Sequence, residues 1–192
     1  MKRLLSGAIA IIFTSHGAAA LAGKLHVHGV GTLQLVLEGN RLHVELSLPA
    51  MDVVGFEHAP KTAEQRDAVT QAVALLQDSS HVIKPPPAAG CATAPGRVES
   101  ALLEDQQDHD HDHDHDHDHD HDRDHDHADG EAHADFDVTY RFDCRRPEAL
   151  SPLALTLFQH LPRLKKLDVQ SVTSGGQRSQ QLAPGQASIS LP

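Results

Sequence analysis

The chain has 192 residues, 17 histidines and a formal net charge of −11. That acidity favours cationic ligands and works against nucleic acid or an anionic lipid surface as partner. Aromatic residues make up only 3%, with no tryptophan, so any core is mainly aliphatic and gains from a covalent tie.

Lys2 and Arg3 precede an apolar run over residues 4–13, and Ala18, Ala19 and Ala20 supply a small-residue cleavage site. This reads as a secretory signal peptide over residues 1–20, with a second cut open after Ala22. The run is shorter than the roughly 20 residues needed to span a bilayer. No later stretch is long and apolar enough either, so no membrane span is expected in the mature chain.

Residues 21–103 read as the first part of a single domain, since what remains after removing leader and insert suffices for one core and not two. Residues 25–37 and 41–48 have the alternation of two strands around a turn at Glu38, Gly39 and Asn40. Leu33, Leu35 and Leu37 share one face, as do Leu42, Val44, Leu46 and Leu48. Pro49 ends the hairpin. Thr62 begins a helix with Gln65 in capping-box position, and Val69, Ala72, Val73 and Leu76 form its apolar stripe. Residues 82–91 are proline-rich and read as extended.

An insert is expected over residues 104–132, and its centre is the strongest chemical signal in the chain. Residues 108–127 alternate aspartate and histidine, interrupted only by Arg123 at one histidine position. The imidazoles are His109, His111, His113, His115, His117, His119, His121, His125 and His127. Imidazole nitrogen suits Zn, Cu, Ni and Co, and carboxylate oxygen adds anionic ligands. Ten aspartates against one arginine give this stretch −9 of the chain's −11. With no apolar residue to join a core, the tract is expected to be disordered. The dense negative charge favours imidazolium, so metal capture competes with protons. The plainer reading is a solvated acidic linker with idle histidines.

Residues 133–192 form the second part of the domain. Phe136, Val138, Tyr140, Phe142 and Cys144 alternate with Asp135, Asp137, Thr139, Arg141 and Asp143, the pattern of a half-buried strand with Cys144 on its core side. A short helix is predicted over 147–160, with Leu150, Leu153, Leu157 and Leu161 on one side and Pro162 as its stop. Residues 167–173, 177–181 and 187–191 read as closing strands, with Gly175 and Gly176 in a turn. The expected fold class is α+β, a mainly antiparallel sheet with two helices. In an exported chain the two cysteines, Cys91 and Cys144, are most simply a disulfide enclosing the tract. The chain-entropy model gives about 4 kcal/mol for such a loop. The rival, a zinc-binding thiolate pair, lacks a Cys-x-x-Cys spacing and suits an oxidising compartment poorly.

Several segments together carry a family likeness. His26, Val27, His28 and Gly29; Pro49; Gly55, Phe56, Glu57, His58, Ala59 and Pro60 before a helix; Gly90 and Cys91; and Phe136, Tyr140, Phe142 and Cys144 after a histidine-rich insert resemble the ZrgA-like zinc-regulated periplasmic proteins. The likeness spans nearly the whole mature chain. It implies an exported periplasmic zinc-binding accessory to a high-affinity zinc ABC importer, acting beside the importer's periplasmic binding protein or permease.

Outside the tract, His26 and His28 stand two apart on the expected first strand and would chelate one ion from a shared face. His58 follows Glu57 in an exposed loop, and His133 and Asp135 mark where the insert rejoins the sheet. These residues form the candidate folded zinc site. The competing reading makes His58 a hydrogen-bonded turn residue, and His43, His81 and His160 read as surface residues. Two other function classes stay open. Sequestration of Zn, Ni, Co or Cu for detoxification is chemically compatible, since Cu²⁺ outcompetes Zn²⁺ at such ligands. A zinc-dependent hydrolase would need Glu57 as base, but the chain has no HExxH helix, no G-x-S-x-G elbow and no phosphate or dinucleotide loop. The chain is therefore read as a non-enzyme.

Overall fold

The computed structural model describes residues 27–106 and 134–192. The expected signal peptide, His26, nearly all of the expected insert with its whole His/Asp tract, and His133 lie outside the described residues.

The hairpin comes first. β1 (Val30–Glu38) and β2 (Arg41–Pro49) pair antiparallel across a two-residue turn, with Leu33 opposite Leu46, Leu35 opposite Val44 and Leu37 opposite Leu42. Period-two alternation sends these leucines to one face, where all but the partly buried Leu37 are fully covered. The single turn α1 (Ala50–Val53) leads into a loop, and α2 (Ala63–Gln77) follows. Thr62 caps α2 as its spacing predicts: its hydroxyl accepts from the Gln65 amide while the Gln65 side chain accepts from the Thr62 amide. Val69, Ala72 and Leu76 are buried on the sheet, with Val73 at the margin of that stripe.

β3 (Ile83–Lys84), β4 (Cys91–Thr93) and β5 (Arg97–Glu99) are short; a 3-10 turn at Ser79–His81 follows α2, and another at Pro87–Ala89 interrupts residues 82–91, the stretch expected to be extended. A 3-10 segment spans Ala101–Gln106. After the gap, β6 (Asp135–Cys144) alternates as expected, burying Phe136, Val138, Tyr140, Phe142 and Cys144. β7 (Leu153–Leu155), the single turn α3 (Leu157–His160), β8 (Lys166–Thr173), β9 (Gly176–Leu182) and β10 (Ser188–Ile189) complete the chain.

The large sheet runs β4-β6-β2-β1-β8-β9, with β5 sharing the β6 edge with β4; every pairing is antiparallel except β1 with β8. A second, antiparallel sheet runs β10-β7-β3. One face of the large sheet packs against α2, the small sheet and α3, and the core fills the space between, so the fold is α+β as read from the pattern. Cys91 and Cys144 face each other in the β4–β6 register and form a disulfide spanning 53 residues.

Two expectations need correction. No helix spans 147–160: a 3-10 turn at Pro147–Ala149, the strand β7 and the single turn α3 stand there instead. Pro152 has no amide to donate and disfavours helical backbone at Ser151. The leucines are buried all the same, Leu153, Leu155 and Leu157 by alternation, so a spacing that fits a helix face is met by a strand. The first strand begins at Val30 and not at residue 25, because Gly29 adopts φ +83, which ends strand geometry there.

Tyr140 ties the two layers together. Its buried hydroxyl donates to the Leu76 carbonyl in the last turn of α2, where helix geometry leaves acceptors unfilled. Burial, and secondarily the charge of Asp78, push its pKa well above the ordinary phenol value, so it remains a donor throughout the accessible range. Tyr140→Phe should lower unfolding stability by about 1–2 kcal/mol, read as a reduced urea midpoint at unchanged slope.

Candidate metal centre

The strand directions decide which residues meet. β1 begins where β2 ends, because the two are antiparallel, and the register sets Pro49 at the end of β2 opposite Asp135 at the start of β6. β8 runs parallel to β1 from the same end, Lys166 opposite Val30. The Ala50 amide donates to the Ala134 carbonyl at 2.8 Å, fixing the turn after β2 to the point where the chain re-enters the described fold. Glu99, the last residue of β5, pairs with Asp137, so the outgoing flank of the insert reaches this end as well.

His28 sits here in a turn, where its Nε2 lies 2.9 Å from Glu57 Oε1. The ring is half exposed and the carboxylate is largely covered. The His28 turn is held from both sides. Asp52, buried within α1, accepts the Gly29 amide at 2.6 Å, while the Gly29 carbonyl accepts from the Lys165 and Lys166 amides. Gly55, at φ +91, lets the following loop reverse toward His28, and an added Cβ would stand 3.2 Å from the Arg163 guanidinium. Arg163, Lys165 and Lys166 are exposed and give this end a basic rim, with Lys165 beside Gly29 and Arg163 beside Gly55.

The other expected ligands are less closely joined. His58 lies in the same loop, its ring stacked on Phe56 at 5.2 Å and its Nδ1 donating to the Ala59 carbonyl at 2.8 Å. A carbonyl only accepts, so Nδ1 carries a proton, and in the neutral ring Nε2 keeps its lone pair. That is the tautomer a ligating histidine has when a backbone carbonyl orients it. His58 is thus both a hydrogen-bonded turn residue and a usable donor. Asp135 is at this end, opposite Pro49. Because His28 is in a turn, the strand alternation that was to align it with His26 does not operate at His28. Among the described residues no group of three His, Cys, Asp or Glu is already arranged around one point.

Glu57 entered the sequence reading only as a hypothetical base and emerges as His28's partner across 29 positions. Asp52 was missed entirely; its one signal was a carboxylate set between apolar neighbours in Ala-Met-Asp-Val-Val. The disulfide lies at the opposite end of the sheet, where the Cys144 amide donates to the Asn40 carbonyl in the β1–β2 turn. The insert is therefore fixed at the His28 end by β5 and β6, and not by the bridge.

The family model described as ZrgA family zinc uptake protein matches residues 25–191. No curated protein matches the chain.

Asp52→Ala removes a charged acceptor and leaves the Gly29 amide short of its partner, so it should cost about 1–3 kcal/mol. Amide exchange at Gly29 and Val30 should accelerate more than exchange in β6, which separates a loosened His28 turn from general destabilisation.

Proposed function

The chain belongs to the ZrgA family of zinc uptake proteins, and from that premise we propose that it captures zinc in the periplasm and passes it toward a high-affinity ABC importer. In this reading a cleaved signal exports the chain and the His/Asp tract over residues 108–127 collects Zn²⁺. The end of the sheet bearing His28, Glu57 and His58, joined by His26, His133 and Asp135 from the flanking segments, holds one ion more tightly. The cargo is zinc. The partner is the importer's periplasmic binding protein or permease, and the protein itself is not an enzyme.

The observation that supports this most is the meeting of the His28–Glu57 pair with both flanks of the insert, Glu99 and Ala134, at one end of one sheet. A tract tethered there would present captured metal at an effective concentration of roughly millimolar, without waiting for a diffusive encounter. The basic rim of Arg163, Lys165 and Lys166 would attract the tract's aspartates and so favour return of the loaded tract to the fold. The donor types fit the cargo: imidazole nitrogen with carboxylate oxygen is a common zinc set. Glu57 is engaged by His28, which suits a ligand or orienting group better than a free general base. The disulfide suits an oxidising compartment, and no helix among the described residues is long and apolar enough to cross a membrane.

Removing residues 108–127 should eliminate several zinc equivalents in calorimetry and leave the circular dichroism of the fold unchanged, with the tighter equivalent at the His28 end remaining. Unchanged stoichiometry would reduce the tract to a linker. In the shortened protein His28→Ala should abolish this tighter equivalent and His58→Ala should weaken it; absence of any zinc binding before these substitutions would reject the folded site.

Zinc affinity of the intact chain should fall between pH 7 and about pH 5.5, because imidazole must be neutral to ligate and its reference pKa is ~6.5. Affinity that is flat over this interval would indicate carboxylate ligation instead.

A further inference from the structure

We propose that His81, His160 and Asp78 form a second metal site for a borderline divalent ion such as Zn²⁺ or Cu²⁺, separate from both the tract and the His28–Glu57 end. The two histidines are 79 positions apart in sequence, yet their rings lie with centroids 4.5 Å apart, tilted by 57°. His81 ends the 3-10 turn that follows α2, and His160 ends α3. The two elements are fastened to each other: Thr156 Oγ1 donates to the Ser80 carbonyl at 2.8 Å, and the Thr156 amide donates to the Val82 carbonyl at 2.9 Å. The imidazoles are thus brought together by backbone-anchored elements and not by chance side-chain rotation.

His81 carries the orientation of a metal ligand. Its Nδ1 lies 3.1 Å from the Leu75 carbonyl, which only accepts, so Nδ1 carries a proton and in the neutral ring Nε2 holds the free lone pair. Nε2 in turn stands 4.0 Å from Asp78 Oδ2. The other carboxylate oxygen, Oδ1, accepts the Ser80 amide at 2.9 Å, which leaves Oδ2 directed to the His81 side.

Two ligands at 2.0–2.2 Å on a tetrahedral ion stand about 3.4 Å apart. The 4.0 Å gap therefore closes with a small rotation of Asp78, whose side chain is 54% exposed. Two imidazoles on such an ion have centroids about 5 Å apart, a modest opening from the 4.5 Å present. The three ligands are not preset around one point among the described residues; the ion draws Asp78 in and leaves its fourth position to water. Two nitrogen ligands select against Ca²⁺ and Mg²⁺, which take oxygen. A bound ion would clip the end of α2 to α3. Three residues beyond His160, Arg163 lies against Gly55 in the loop that carries Glu57, so the clip sits one short connection from the first site.

The test is a ZnCl₂ titration of the full chain followed by long-range ¹H–¹⁵N spectra of the imidazoles. His81 Nε2 and His160 should shift together to the metal-bound range and saturate, while His81 Nδ1 keeps its proton. His160→Gln should weaken the His81 response by roughly tenfold or more, and Asp78→Asn should weaken it to a lesser degree, with backbone amide spectra reporting that each variant is folded. If His160→Gln disturbs α3, the wild-type titration and Asp78→Asn still decide. His81 and His160 resonances that stay fixed after the tract resonances have saturated would overturn the site, as would a His81 response identical in wild type and His160→Gln.

Discussion

Nine register pairs join Arg41–Pro49 to Asp135–Cys144, and this ladder bridges the whole insert. Because the pairing is antiparallel, the end of β2 must meet the start of β6, and the loop after β2 must sit beside the point where the insert returns. The buried side chains along it, Val44, Leu46 and Leu48 on one strand and Phe136, Val138 and Tyr140 on the other, hold the register, since a slip of one residue would turn each of them to water. Tyr140 extends the same constraint to the second layer through the Leu76 carbonyl. The histidine pair on the second layer, the His28–Glu57 pair and the insert flanks are all placed with reference to this ladder.

The two ends of the sheet carry different duties. At one end the disulfide closes β4 onto β6 beside the β1–β2 turn, and its contribution is to stability. At the other, short turns hold polar side chains, and the chain enters and leaves the insert. The His/Asp composition of residues 108–127 holds no core-forming residue, and in the proposed function it serves ion capture. The described fold supplies donors whose direction is set by neighbouring carbonyls, as at His58 and His81. In the proposed function, collection and oriented holding fall to different parts of one chain.

Local signals made much of this legible beforehand. The Thr62–Gln65 capping box and the Val69, Ala72, Leu76 stripe mark α2 within one stretch of sequence, and strict alternation marks β6. At Leu150, Leu153, Leu157 and Leu161 the helical spacing misleads: Leu153 and Leu155 alternate in β7, and Pro152 is the residue that decides against a helix. Gly29 likewise turns His28 out of the strand. The pairs that matter for metal are the least legible, because His28 with Glu57 and His81 with His160 are joined only by tertiary structure. Composition identifies the kind of ligand, whereas the ladder and the tied turns determine which ligands are neighbours.

The central claim, that the tract works at the His28 end of the sheet, is tested most directly by paramagnetic relaxation. A substoichiometric amount of Cu²⁺ loaded on the tract of the full chain should broaden amides at Gly29, Val30, Glu57, His58 and Lys165, and leave Asn40, Cys91 and Cys144 sharp. Broadening centred on the disulfide end, or spread evenly over both ends, would contradict the account.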